Sequence, residues 1–564
     1  MDSPGYAADQ AAKDPALLLS HRRKMEILFA ILLGIFLSAL DQTIVGTALP
    51  RIVADLNGTN ELYTWVVTIY LLTATITGVF YGKLSDLYGR RLMLLVGVTI
   101  FLLGSALSGL SWNMESLIFF RGLQGIGAGA LFPISLAVIG DLFTPAERGK
   151  YQGLFGAIFG LSSIIGPLLG GWLTDNGPGR LLGISGLTSW HWIFYVNLPI
   201  GAVTLYIIYR YLPTVRGQGS HRSLDYLGAV VFTAAVSALM IGLTNKASDD
   251  WTSPWVGGLI AVSLVLGAVF LFIESRAAEP IIPLDLFRNR GYSVTILAVF
   301  LAGIGFFGSI IFLPRWFQFV KGVDPTDSGL QILALLAGVI LSSVVSGILV
   351  SRTGRYKMLS IVSLSTMAIG ILLLTGLRAE TDLPILWIWM FITGLGIGPS
   401  LSVFTIVIQS VVPFEKLGVA TGSLTFFRQI GGSVGLAIVG TIFGSSFADK
   451  LAPQLQAAGV PPDVATQVAT RAAAGGGSQL TAAGTDLSQV LAQFLPPDLV
   501  PKVIAGLHEA FSLAIADTFW FGLGATVLAL IAVVVALPEV PLRGMVPRGA
   551  QATGRPVEPL PIAE

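Results

Sequence analysis

The stretch Gln124–Gly129 (QGIGAG) recurs 269 residues further along the chain as Thr393–Gly398 (TGLGIG). Other blocks repeat in the same order. At the same offset, Gly153 corresponds to Gly422 and Gly166 to Gly435. Earlier in the chain, Gly82, Gly89 and Arg90 correspond to Gly347, Gly354 and Arg355, and Leu49–Arg51 corresponds to Leu313–Arg315. Matched blocks in the same sequence order indicate an internal duplication rather than a chance recurrence of small residues.

The repeated blocks lie in or beside apolar runs that are long enough to cross a bilayer, for which a helix needs about 20 residues. The sequence predicts fourteen such spans, at about 26–49, 62–82, 92–111, 115–141, 151–174, 190–212, 225–245, 254–274, 292–314, 328–350, 357–376, 384–411, 418–445 and 512–537. Each repeat moves eight spans along the chain, so spans 1–6 correspond to spans 9–14 and spans 7–8 are an insertion. Because eight is even, the two halves share one orientation. Parallel halves are the architecture of rocker-type secondary transporters, whose substrate site lies between the halves.

The composition supports this all-α membrane fold and excludes several other classes of function. Of 564 residues, 54% are apolar and only 12% are charged, whereas about 25% are charged in an average soluble domain. A net charge of +1 without a basic patch argues against a nucleic-acid partner. The chain has no cysteine, and no two of its four histidines have metal-ligand spacing. We therefore predict neither a metal nor another cofactor.

The distribution of positive charge predicts how the chain is oriented. With the N-terminus inside, 22 of the 33 Lys and Arg residues fall in cytoplasmic segments and 9 in external ones, and two lie inside spans. Cytoplasmic loops retain positive charge, so both termini are predicted on the cytoplasmic side of the plasma membrane. The predicted segments are an N-terminal tail (1–25), a first half (26–212), the inserted helices with their loops (213–290), a second half (291–537) with one long external loop (446–511), and a C-terminal tail (538–564).

Five motifs in the first half of the chain carry a resemblance to a known family. They are GKLSDLYGRR (82–91) after span two, LDQTIVGTALP (40–50) in span one, RGLQG (121–125) in span four, a glycine-rich stretch (156–171) in span five, and SWHWIFYVNLP (189–199) in span six. The first resembles the loop signature of the major facilitator superfamily. The others are similar to motifs of its fourteen-span drug/proton antiporters, the EmrB- and QacA-like multidrug exporters.

The resemblance implies a major facilitator fold and a proton-coupled exporter of lipophilic drugs or similar amphiphiles that works by alternating access. Its partners would be such a small molecule, protons and membrane lipids. The loop after span two would act as a latch when the cytoplasmic side is closed. Asp86 would then sit against the positive N-terminus of span thirteen, and Arg90 would pair with Asp141. Alternatively, these charges only fix topology.

Span five has two pairs of glycines that form small faces for close helix approach. The pairs are Gly156 with Gly160 and Gly166 with Gly170, each spaced i,i+4. Pro167 removes a backbone hydrogen bond and is expected to bend the span. The resemblance implies that this span seals the halves against proton leak, whereas generic helix packing would use the same residues.

Asp41 is the acid that the sequence places deepest in a span. It lies about 15 residues, or about 22 Å, from the cytoplasmic end of span one. An acid at this depth is rarely retained without a function, and removal from water favours its neutral form. Asp41 is therefore predicted to bind and release the coupled proton. The alternative is a structural acid neutralised by a partner.

Three further polar residues within spans receive a predicted role. Arg121 lies at a depth that overlaps that of Asp41, so the two could meet if spans one and four are neighbours. The resemblance gives Arg121 a role in proton transfer, whereas a structural arginine would only bond backbone carbonyls. Gln124 and Arg428 are predicted to contact substrate, Arg428 because a cation near the midplane faces the bundle interior or a cavity. Structural packing is the alternative for Arg428.

Other functions fit the sequence less well. An intramembrane enzyme would need a nucleophile, base or metal set at depth, and no such set occurs in the sequence. A channel would not need two six-helix repeats with a single deep carboxylate. Spans ten and thirteen hold no acid, which argues against efflux of divalent cations. Among transporters, export of an endogenous lipid or metabolite remains the alternative to drug export.

Overall fold

The structure is a computed structural model, which describes residues 19–58, 60–176, 189–213, 225–246, 249–323, 325–471, 487–492 and 495–539. Most of the two predicted tails, the loop between spans six and seven and part of the predicted external loop lie outside these residues.

The described residues contain fourteen helices that are long and apolar enough to cross a membrane, which confirms the predicted all-α fold and the number of spans. The helices are α1 (His21–Asp55), α2 (Asn60–Tyr88), α3 (Arg90–Ser108), α4 (Met114–Leu142), α5 (Pro145–Asn176), α6 (Trp192–Tyr211, with an irregular turn at Val196), α7 (Tyr226–Asn245), α8 (Pro254–Glu274, with a π-helical first turn), α9 (Arg290–Val320), α10 (Leu333–Thr353), α11 (Tyr356–Leu374), α12 (Leu383–Val411), α13 (Leu417–Ala457) and α14 (Val500–Ala536). No strand occurs among the described residues.

Local sequence signals explain several helix ends. Asn113 and Ser116 form a reciprocal capping box that begins α4, because each side chain satisfies a free backbone N–H of the other. Gly354 ends α10 with φ +67°, a left-handed conformation that glycine adopts without strain. Gly89 connects α2 to α3 with φ +96°.

The duplication is visible in equivalent contacts between the halves. A Cβ atom on Gly418 of α13 would lie 2.6 Å from Asp86 Oδ1, and one on Gly149 of α5 would lie 2.5 Å from Ser351 Oγ. Ser351 is the repeat equivalent of Asp86, so α2 meets α13 as α10 meets α5. The absence of a side chain at both glycines is what permits this approach.

The two inserted helices pack against both halves, and so does the linker that follows them: Phe232 of α7 lies 5.3 Å, between ring centroids, from Phe426 of α13. Phe232 of α7 and Phe270 of α8 share a buried cluster with Ile76 of α2. In the linker, Glu279 pairs with Lys83 at 2.6 Å and Asp285 pairs with Lys416 at 2.6 Å. The insertion therefore contacts both halves at the predicted cytoplasmic face.

The structure differs from the prediction at the external loop (446–511). Helix α13 continues to Ala457 and α14 begins at Val500, while Pro462–Arg471 and Leu487–Ala492 form short helices. The extensions are helical because apolar side chains on one face of each pack into the core of the second half; they are Phe447, Leu451 and Leu455 of α13 and Val503, Leu507 and Phe511 of α14. Their other faces are polar, so a hydropathy threshold ends each span too early.

Candidate functional site

A buried polar cluster surrounds Asp41 in the first half. Helix α1 supplies Asp41, α4 supplies Arg121 and Gln124, and α6 supplies Asn197; the Asp41, Gln124 and Asn197 side chains are completely buried. Arg121 Nη1 donates to Asp41 Oδ2 at 2.6 Å, and Gln124 Nε2 and Asn197 Nδ2 donate to Asp41 Oδ1 at 2.8 and 3.0 Å. Three donors therefore converge on one buried carboxylate, an arrangement that suits a negatively charged group.

The guanidinium group of Arg121 is held from two further directions. It lies over the ring of Tyr70, with Cζ 4.2 Å from the ring centroid, and Nη1 also donates to Gln124 Oε1 at 2.7 Å. Asn197 is oriented by a second hydrogen bond, from its Nδ2 to Ser105 Oγ at 3.0 Å. These contacts hold the Arg121 and Asn197 side chains in the orientations from which they donate to Asp41.

The structure brings Asp41 and Arg121 together, as their predicted depths allowed, and it adds residues that the sequence reasoning missed. Asn197 lies in the quoted motif of span six but received no role, although an amide inside an apolar span was an available signal. Tyr70 and Ser105 carried no comparable signal, because aromatic and hydroxyl side chains are common in membrane helices.

The polar cluster contains a buried donor and a buried acceptor that are not used. Within the described residues, Arg121 Nε and Asn197 Oδ1 have no hydrogen-bond partner. An unsatisfied buried group raises the free energy of this arrangement by about 1–3 kcal/mol. Both atoms are therefore available to bond another group if the cluster rearranges.

A cavity lies between the halves, beside the Asp41 cluster. Its volume is about 140 Å³. Its lining is mainly apolar and includes six phenylalanines, which are Phe132, Phe155, Phe159, Phe306, Phe307 and Phe426. Ser38 and Gln42 of α1 also line it, so the cavity reaches the helix turn that carries Asp41. A mainly apolar lining with a few polar groups is typical of a binding site for an apolar small molecule.

The two residues predicted to contact substrate occupy different places. Arg428 of α13 lines the cavity. Gln124 does not belong to the lining, because its side chain is buried in the Asp41 cluster, where it bonds both Asp41 and Arg121. The structure therefore offers Gln124 a part in positioning the carboxylate instead of a direct contact with substrate.

The predicted latch contacts are present at the predicted cytoplasmic face. Asp86 Oδ1 accepts from Gly418 N at 3.0 Å and Oδ2 accepts from Val419 N at 2.9 Å, at the first turn of α13. Arg90 pairs with Asp86 and donates from Nε to Asp141 Oδ2 at 3.1 Å. A carboxylate on free N–H groups at a helix N-terminus is a favourable arrangement.

A second set of bonds joins the halves close to the latch, and nothing in the sequence singled it out. Gln409 of α12 is central to it: Gln409 Oε1 accepts from Gln152 Nε2 at 2.5 Å, and Gln409 Nε2 donates to the Leu136 carbonyl at 2.9 Å. Thr421 Oγ1 donates across the same interface to the Pro133 carbonyl at 3.1 Å. These bonds, with the latch, close the predicted cytoplasmic side.

The glycines of α5 divide between two neighbours. A Cβ on Gly156 or Gly160 would meet Ser343 or Ile340 of α10, in the other half, whereas one on Gly166 or Gly170 would meet α1 within the same half. Pro167 lies inside the continuous α5 helix. Helix α5 therefore lies directly against both α1 and the opposite half.

The sequence profile described as Major Facilitator Superfamily matches residues 31–436. The chain belongs to the major facilitator superfamily. It is similar to "Multidrug transporter protein MdtP" of Bacillus subtilis (strain 168), with 40% identity over 434 residues that cover 76% of this chain and 78% of that protein. It is also similar to "Multidrug resistance protein 3" of the same organism, with 36% identity over 428 residues, 75% of this chain and 80% of that protein.

Solved structures agree with the superfamily fold. The structure of the proton:xylose symporter XylE matches 93% of this chain and 98% of its own chain, with a TM-score of 0.57 and 13% identity. At this low sequence identity, the match supports the fold and no conclusion about function. The protein is thus a multi-pass membrane transporter of the major facilitator superfamily, and two of its relatives are named as a multidrug transporter and a multidrug resistance protein.

Proposed function

We propose that the protein exports lipophilic small molecules from the cell in exchange for protons, by alternating access. It would act in the plasma membrane with both termini in the cytoplasm. The observation that carries this proposal is the completely buried Asp41 carboxylate, held by three side-chain donors beside an aromatic cavity between the halves.

The proton step would take place on Asp41. When ionised, the carboxylate binds Arg121, Gln124 and Asn197; protonation removes its charge and weakens the contact with Arg121, which loses most of its Coulombic attraction. The unused Arg121 Nε donor offers the guanidinium group an alternative orientation. Protonation would therefore change how tightly α1 is held to α4.

Substrate would couple to this step through α1. Ser38 and Gln42 line the cavity and lie three residues before and one residue after Asp41. A molecule in the cavity that displaces α1 would alter the distances from Asp41 to its donors. By thermodynamic reciprocity, proton binding would then change the affinity for substrate by the same factor.

Alternating access would require the closed side to open. Opening would break the bonds of Asp86 to α13 and of Gln409 to the first half, and would separate α5 from α10. The glycine faces of α5 allow backbone contact without interlocking side chains, which favours sliding or rocking of one half on the other.

The substrate class follows from the lining of the cavity and from the similar relatives that are named multidrug transporters. Six phenylalanines favour flat or bulky apolar bodies. Expression in a drug-sensitive bacterium should reduce accumulation of some lipophilic compounds. Unchanged accumulation across a broad panel, with the protein present in the membrane, would favour export of an endogenous lipid or metabolite instead.

The proton assignment can be tested in proteoliposomes. Asp41→Asn keeps the size of the side chain, and it should bind substrate yet fail to drive uphill transport when a proton gradient is imposed. Substrate binding should release a proton from the native protein and not from this variant. Asp517→Asn is the matched control, because Asp517 also lies in a membrane helix but pairs with Lys450. Native transport by Asp41→Asn, with the gradient still required, would mean that another group carries the proton.

A further inference from the structure

Arg428 is the one charged side chain in the lining of the cavity, among the residues that the structure describes. It lies eleven residues into α13, about 17 Å from the start of that helix. Its side chain makes no ion pair or hydrogen bond within the described part of the chain, and its Nη2 atom is buried without a partner. By contrast, Asp41, which also lies deep in a membrane helix, pairs with Arg121.

The position of Arg428 is fixed by close packing of α13 on α9. Gly303 of α9 lies against the Arg428 backbone, where an added Cβ would be 2.8 Å from the Arg428 carbonyl oxygen. One turn later Gly431 lies against Phe300 of α9, and two turns later Gly435 lies against Ile304. These contacts set the rotation of α13, so that Thr425, Arg428 and Gln429 face the cavity.

The duplication supplies an internal comparison for Arg428. Its repeat equivalent, 269 residues earlier, is Phe159 of α5, which also lines the cavity. The same place in the first half is therefore filled by an apolar ring, so packing between the halves does not need an arginine there. An arginine that is desolvated and unpaired is destabilising, and such residues in membrane helices are retained mainly for function.

We infer that the cavity binds amphiphiles with an aromatic or apolar body and a single negative charge, such as a carboxylate, sulfonate or phenolate, and that Arg428 receives that charge. The inference rests on the proposed function, since it takes this cavity to be the transport site. The arginine would supply the charge-assisted bonds, and the phenylalanines would hold the body of the ligand. Lipophilic cations would bind poorly, because no acid lines the cavity within the described residues.

The test uses three fluorescent probes that share a pyrene ring on a four-carbon chain and differ in the end group. They are pyrenebutyrate (anionic), pyrenebutanol (neutral) and pyrenebutylamine (cationic). Binding to purified protein in detergent is followed by energy transfer from tryptophan, with protein-free micelles subtracted. The native protein should bind pyrenebutyrate at least about tenfold more tightly than either analogue, as expected for a charge-assisted contact. Arg428→Gln should remove this preference, whereas Arg428→Lys should retain part of it. Arg378→Gln, a change outside the cavity, should leave it unaltered.

Thr425→Asp provides a second variant in which Arg428 remains. The new carboxylate, three residues before Arg428 on the same helix, would pair with it and should abolish the preference for the anion. Equal affinity of the native protein for the three probes, or equal weakening of all three by both variants, would overturn the inference. Binding needs no proton gradient, so these results are independent of whether Asp41→Asn uncouples transport.

Discussion

Replacing Asp86 with asparagine should open the predicted cytoplasmic face of the protein. Asp86 is almost completely buried, and its two oxygens accept the backbone N–H groups of Gly418 and Val419 in the other half. An asparagine side chain has one oxygen, so it can accept from one of these groups, and its NH2 group would face the other. The ion pair with Arg90, by contrast, lies within one half, so opening of the face does not require it to break.

The magnitude follows from the bonds that exist only in the closed form. Removing a partly buried negative charge from a helix N-terminus costs up to about 2 kcal/mol. Loss of one backbone hydrogen bond adds about 1 kcal/mol, and part of both losses is recovered by the remaining amide oxygen. We expect a net shift of about 2 kcal/mol toward the open form, which is a factor of about 30 in the population ratio.

Cysteine reactivity can measure this shift, because the chain has no native cysteine. Gln152 is buried at the interface between the halves, so a cysteine introduced there should react with a maleimide only when the interface opens. In this background Asp86→Asn should raise the labelling rate by up to about 30-fold, because labelling follows the open population. Glu147→Gln is the matched control, since Glu147, in the first turn of α5, bonds only Thr144 among the described residues. A rate within twofold of the parent, in a folded variant, would refute the latch and leave Asp86 as a topology charge.

Two further variants test the site and the packing of α5. Asn197→Ala removes one of the three donors to Asp41, so the pH midpoint of substrate-induced proton release should increase; an unchanged midpoint would exclude Asn197 from the proton site. Gly166→Ala would place a Cβ atom 2.6 Å from Thr43 Cβ and should cost about 1–3 kcal/mol, lowering the midpoint of thermal unfolding by several °C. Gly440→Ala is the control, because its new Cβ atom would have no neighbour within 4 Å, and it should leave that midpoint unchanged. Equal effects of the two alanine variants would contradict the packing argument.

The candidate site was only partly predictable from the sequence. Asp41 and Arg121 were recognisable because a charge inside an apolar span is conspicuous, and their depths could be compared by counting residues. Asn197 completes the same site from α6, and its amide is less conspicuous than a charge. Gln124 was predicted to contact substrate, and the structure shows its side chain turned to Asp41 instead. Depth follows from residue count, whereas the direction of a side chain depends on which helix packs beside it.

The sequence by itself determined the number of spans, the duplication of six helices and the common orientation of the two halves. These properties are local or periodic, since a span is recognised by about 20 apolar residues and a repeat by its offset. Only the tertiary structure decided that α13 and α14 continue beyond the predicted spans, that Gln409 ties the halves together, and that Arg428 faces the cavity without a partner. Each of these depends on the rotation of one helix against another, which is set by contacts between residues far apart in the chain, such as Gly303 with Arg428.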